Sequence, residues 1–227
     1  MSKIFQRTTK MNTILRSSLL LIAHWAFCEG QMDYSKMDPE KLLYINYTNE
    51  LLNGSMQLFL KWGFGGPLNN NACICWTSNK SSDPVVPTFR RNLAFYNKTA
   101  PGNCRWESRD TYWATGATNY TPVVGVESFV QGHKDPETTG IYTLFFATPT
   151  CFIMGLLRGT PSTKSNSTES LSVDTDNSTC MLWARRHPNG TEDRDECELK
   201  FNSSCSMPVT MYRRGHGNCN FTVTTTG

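Results

Sequence analysis

Cysteines carry the most chemistry in this sequence. Nine occur, and all but Cys28 lie beyond residue 30: Cys73, Cys75, Cys104, Cys151, Cys180, Cys197, Cys205 and Cys219. Such a set could hold a metal, exchange thiols with disulfides, or staple a framework. Metal binding asks for paired Cys-x-x-Cys knuckles or regularly spaced Cys and His. Neither pattern is present, and His133, His187 and His216 stand apart, so no metal centre is expected. Cys73-x-Cys75 puts two thiols on one face of a strand, which suits structural bonding elsewhere better than redox work. An even set in an oxidising compartment points to four disulfides.

Other reactive constellations are missing. The sequence has no Gly-x-Ser-x-Gly and no His-Glu-x-x-His, and no thiol is left beside a base once the cysteines pair, so neither an enzyme nor a bound cofactor is expected. Asp193 and Asp195 lie in a hydrophilic segment where solvation is the ordinary outcome. Glu107, Asp110 and Glu127 fall on strand-like runs and could serve a cationic ligand, but are read as outward-facing charge. The pairs Arg90-Arg91, Arg185-Arg186 and Arg213-Arg214 are read as solvated strand ends and loops.

The compartment follows from the N-terminus. Residues 1–16 are cationic, Leu19 to Cys28 are apolar, and Cys28-Glu29-Gly30 ends the run with small residues, the order of a secretory signal. The apolar core is much shorter than the roughly 20 residues that span a bilayer, so residues 1–30 are expected to be removed rather than to anchor the chain. Met11 is an alternative start. The remainder, 31–227, has no internal repeat and no mid-chain linker, and is expected to form a single domain. Asn-x-Ser/Thr sequons begin at Asn46, Asn53, Asn79, Asn97, Asn119, Asn166, Asn177, Asn189, Asn202 and Asn220, marking a glycosylated extracellular product.

Loss of the leader also removes Lys3, Arg7, Lys10 and Arg16 against Glu29, so 22 Lys+Arg and 19 Asp+Glu become 18 and 18. A neutral chain has no general attraction for nucleic acid or anionic membrane.

The elements that must place these residues are mostly strands. Asp38-Pro39-Glu40 opens a helix with an acidic cap and proline in the first turn, and Leu42, Leu43, Ile45 and Leu51 offer it an apolar side. Runs rich in β-branched and aromatic residues follow at 56–62, 72–77, 85–96, 105–114, 122–130, 140–147, 151–157 and 179–185. Eight such runs at even spacing suit a closed antiparallel barrel or a sandwich. A second helix is expected over 194–201, and the Ser/Thr/Asn-rich stretch 159–179 reads as an exposed loop. In Ile141-Tyr142-Thr143-Leu144-Phe145-Phe146 both faces are apolar, so that strand is expected to be covered on each side or to face something apolar inside.

The order helix, eight strands, Cys151-Phe-Ile, Cys180-Met-Leu-Trp183, a second helix near Cys197 and a terminal Cys219 resembles the tick salivary lipocalins of the histamine-binding family. Ala72-Cys-Ile-Cys-Trp76 and Asn92-Leu-Ala-Phe-Tyr-Asn97 are similar to that family's second and third strands. The resemblance implies an all-β, eight-stranded lipocalin-type barrel with N-terminal and C-terminal helices. It also implies a bridge between Cys151 and Cys197, and one from Cys219 to Cys73 or Cys75. Its functional implication is a secreted salivary carrier that sequesters small host mediators and evades immunity.

Amine-binding members have an acid after the first of these cysteines and a Glu before Leu-Trp. Phe152 and Met181 occupy those places here. A buried ammonium requires a carboxylate partner, so a lipid, an eicosanoid or another apolar or amphipathic mediator is expected before histamine or serotonin. Phe152, Met181, Trp183, Tyr142 and Phe95 are the expected lining residues. The alternatives are a decoy that binds a host protein (a complement component, chemokine or protease) with the barrel as scaffold, and an amine site rebuilt from other carboxylates.

Overall fold

The computed structural model describes residues 34–66, 68, 72–82, 84, 87–100, 104–156, 159–160, 172–173, 178–185, 195–205, 211–214 and 219. The leader expected over 1–30, and the sequons at Asn166, Asn177, Asn189 and Asn220, lie outside these residues. No described helix is long and apolar enough to cross a membrane.

The residues from Asp38 onward make one compact unit. Helix α1 (Pro39–Asn53) begins where the Asp38 carboxylate accepts from the Glu40 amide at 2.9 Å, with proline in the first turn. Its inward stripe is Ile45, Thr48, Leu51 and Leu52, whereas Leu43 is exposed. Spacing therefore settles the buried side better than composition does, since these positions recur at three and four residues.

Strands β1 (Leu58–Phe64), β2 (Cys73–Lys80), β3 (Phe89–Asn97), β4 (Arg105–Thr118), β5 (Thr121–Val130), β6 (His133–Lys134), β7 (Gly140–Ala147) and β8 (Cys151–Leu156) follow. After them come β9 (Gly159–Thr160), β10 (Ser172–Val173), β11 (Thr179–Arg185), helix α2 (Asp195–Cys205) and β12 (Tyr212–Arg213). Ladders run in the order β11-β8-β7-β5-β4-β3-β2-β1, and β1 pairs back to β11 from Leu58↔Arg185 to Phe64↔Cys180. Eight antiparallel strands thus close on themselves, leaving no edge in the ring. The fold is a lipocalin-type barrel.

Side chains alternate across the wall. On β8 and β11, Phe152, Met154, Met181 and Trp183 face inward in cross-strand pairs Trp183↔Phe152 and Met181↔Met154. The alternate residues Cys151, Ile153, Cys180 and Leu182 form an outer cluster with Phe64, Phe146, Cys197, Phe201 and Cys205. Helix α2 lies over this outer cluster. Phe201 is fully buried there and meets Trp62 edge-on at 5.8 Å. Burial of one such ring contributes about 1.5–3 kcal/mol. A register shift between Leu144 and Phe146 turns β7 so that Leu144 opposes Met154 inside while Phe146 joins the outer cluster, which is why that strand is apolar on both faces.

Three disulfides are closed: Cys75–Cys219, Cys151–Cys197 and Cys180–Cys205. Two of them bind α2 to β8 and β11. Four were expected; Cys73 and Cys104 are thiols, the second exposed. Cys73 opposes Asn97, and Asn97 opposes Arg105, so two ladder spacings separate the β2 thiol from the start of β4. Each spacing is about 4.8 Å, beyond direct bridging.

At the end of the barrel holding the β1–β2 loop, Gly65 has φ +80° and an added Cβ would lie 1.9 Å from the Ser178 carbonyl oxygen. Left-handed backbone costs an L-residue about 1–2 kcal/mol before any clash. Gly65→Ala is expected to lower the unfolding free energy obtained from urea denaturation by at least that amount, and unchanged stability would show that the Gly65–Ser178 contact yields without cost.

Candidate functional site

The two ends of the barrel differ. Helix α1 contacts β3, β4, β5, β7 and β8 and leads into β1 at one end. That end is held by Arg91, which is fully buried despite its place in a basic pair. Its Nε donates to Ser78 Oγ at 2.9 Å, Nη1 to the carbonyls of Leu52 at 2.6 Å and Gly54 at 3.1 Å, and Nη2 to those of Met56 at 3.1 Å and Ser78 at 2.8 Å. Leu51 O receives a longer bond of 3.5 Å. The last carbonyls of a helix have no partners of their own, and here one guanidinium serves several of them. Burial pushes the Arg91 pKa down to about 10, so it stays charged at neutral pH.

Arg91 therefore overturns the reading of Arg90-Arg91 as solvated; only Arg90 is partly exposed, 3.9 Å from Asp110. The Arg213-Arg214 pair is likewise engaged: Arg213 lies over the Trp62 ring, and Arg214 donates to the Trp76 carbonyl at 3.1 Å. Arg185 ends β11 and is half-buried, while Arg186 lies outside the described residues.

Above this floor the interior is apolar and aromatic. Trp113 is 1% exposed; its Nε1 donates to Thr111 Oγ1 at 2.8 Å. Its ring meets Trp183 edge-on at 5.8 Å and Phe152 at 6.4 Å. Over this trio a void is bounded by Leu60, Trp76, Leu93, Val126, Met154 and Met181, with Tyr142, Trp183, Trp113, Thr138 and Leu68 completing the wall. Its volume is about 30 Å³. Two flexible thioethers, Met154 and Met181, bound it. Thioether chains re-pack at little cost, so the wall has a built-in means of opening further.

Met181, Trp183 and Tyr142 thus lie on the void. Phe152 is on the inner face but sealed against Trp113, with no surface on the void. Phe95 stacks on Trp76 at 4.2 Å, behind the wall residue rather than on it. Leu60, Leu93, Val126 and Met154 have no feature in the sequence that separates them from other strand residues. Leu68 comes from a loop and carries no strand signal at all. Tyr142 is half-buried, and that burial raises its hydroxyl pKa.

At the opposite end from Arg91, charge enters the interior. Glu107 opposes Phe95 on the inner face, contrary to the outward reading; Asp110, 56% exposed, and Glu127, bonded to Lys134 at 2.8 Å, do face out. Arg109 bridges Glu107 at 3.1 Å and Asp135 at 2.6 Å while its guanidinium covers the Phe95 ring at 5.1 Å. Asn97 Nδ2 adds a bond to Glu107 of 3.1 Å. Both carboxylates are thereby committed. Burial pushes each carboxyl upward, but the hydrogen bonds and charge of Arg109 outweigh it and hold both below the ordinary range.

Because these folded-state values are depressed from 4.5 and 3.8, the unfolded chain binds more protons in that range and stability rises with pH. The contribution of this cluster is whole above about pH 5 and disappears as pH falls through the lower folded values. Arg109→Met is expected to flatten the acid limb of a stability-against-pH curve, and an unaltered limb would remove the cluster as its cause.

No protein-family model matches the chain, and no curated relative does. Among solved structures, Japanin from Rhipicephalus appendiculatus bound to cholesterol is similar. Identity is 12%, the match covers 68% of this chain and 89% of that one, and the TM-score is 0.40.

Proposed function

We propose that this barrel sequesters a small apolar or amphipathic molecule, outside the cell, between Trp113, Met154, Met181 and Trp183. The observation that carries the reading is the composition of the inner wall: aromatic and thioether groups bound the void, and among the described residues no ionised side chain touches it. The signal-like leader, the disulfides and the sequons support secretion. As a secreted carrier it fits the capture of a host mediator, the role implied by the resemblance to salivary lipocalins.

Amine binding is disfavoured on the same wall. The inward carboxylates Glu107 and Asp135 are already shared by Arg109, so a ligand ammonium would have to break a buried ion pair to gain one.

The test is native mass spectrometry of the secreted, deglycosylated protein, followed by calorimetric titration with arachidonate, leukotrienes, cholesterol, histamine and serotonin. Binding of a lipid and not of the amines is the expected result; tight amine binding overturns it. The small size of the void favours a second reading, a host-protein decoy with a filled barrel as scaffold. Silence across the whole panel would favour that one.

A further inference from the structure

Among the polar atoms of the cavity wall, Trp183 Nε1 is distinctive. Trp183 is 2% exposed, and its indole N–H is buried with no hydrogen-bond acceptor among the described residues. The other wall indole whose bond lies inside the barrel, Trp113, has its acceptor in Thr111; Trp76 reaches the Cys73 carbonyl at 3.0 Å. A buried donor without an acceptor is destabilising, and such atoms are few in folded proteins. Here the deficit falls on a residue whose ring bounds a void; the nitrogen itself is closed off from that void, so a ligand oxygen reaches it as the thioethers Met154 and Met181 re-pack.

Resting on the carrier reading above, we propose that Trp183 Nε1 is the specificity donor of the cavity. Its ligand is a neutral, mostly apolar molecule with one acceptor oxygen, such as a ketone, ester, ether or alcohol, placed against that N–H. The wall lacks both partners a charged ligand needs. Among the described residues no carboxylate faces it to take an ammonium, and no Arg or Lys faces it to take a carboxylate. A cation would also offer only donors to a group that is itself a donor. A neutral oxygen completes the missing bond without bringing a charge into the interior.

A matched bicyclic series tests this: tetralin, 1-tetralone, 1-aminotetralin as its ammonium, and tetralin-1-carboxylate, titrated into wild type and Trp183→Phe. Trp183→Phe is expected to weaken 1-tetralone about tenfold, the effect of one hydrogen bond to a buried donor, while tetralin changes by less than twofold. On wild-type protein, 1-tetralone should shift the Trp183 indole N–H resonance downfield and tetralin should not, which keeps the test alive if the variant folds poorly. Equal weakening of both ligands, no indole shift, or tighter binding of either charged member would overturn the inference. If the mediator panel binds but this series shows no dependence on Trp183, the donor assignment alone has failed. If the panel and the series are both silent, the carrier reading has failed and takes the assignment with it.

Discussion

Arg91→Ala is expected to yield a chain that does not fold, or one that has lost more than about 4 kcal/mol. The side chain is fully buried, and its removal strands the carbonyls of Leu52, Gly54, Met56 and Ser78 at the junction of α1, β1 and β2. Each unpaired buried acceptor costs about 1–3 kcal/mol, and the whole stability of a domain is only about 5–15 kcal/mol. Arg91→Lys separates charge from geometry. An ammonium keeps the charge but offers three donors from one point instead of a five-donor fork, so it too is expected to fall well short of wild type. Urea denaturation followed by tryptophan fluorescence reads both. A lysine variant of native stability would mean that charge alone holds this end of the barrel.

The second large effect concerns α2. With 11 residues, the helix is too short to persist alone, and the Cys151–Cys197 and Cys180–Cys205 bridges hold it against the barrel. They close loops of 46 and 25 residues, for which chain entropy gives about 3–4 kcal/mol each. Replacing either pair with alanine is expected to lower Tm by roughly 10 °C. Replacing both should release α2 and expose Phe201, making the helix cleavable while the barrel strands stay protected. If protease still spares α2 in the four-alanine protein, packing of Phe201 and the Lys61–Glu198 ion pair at 2.6 Å suffice to dock it.

The strands were legible because β-branched and aromatic runs survive any error in register. The second helix was legible too, and it runs four residues beyond the Phe201 at which the sequence signal ends, as far as the bridged Cys205. What sequence could not supply was pairing across the ladder. Arg91 and Arg90 are adjacent letters with opposite fates, since alternation sends one inward to the end of α1 and the other to solvent. Glu107 looked solvated for the same reason, because its partners Arg109 and Asn97, and the Asp135 that shares Arg109 with it, come together only when β3, β4 and the segment after β6 are assembled. The wall residues were half-visible. Trp183 and Met181 belong to a recognisable motif, whereas Leu68 reaches the void from a loop.

The Cys75–Cys219 bond joins residues 144 positions apart. It turns most of the barrel into a covalent macrocycle that also contains the other two bridges. Any one peptide bond cut between Cys75 and Cys219 opens the ring into a longer chain without freeing a fragment, and a cut between Cys180 and Cys197 leaves the halves tied three times over. Release of a fragment from within the ring then requires a second cleavage.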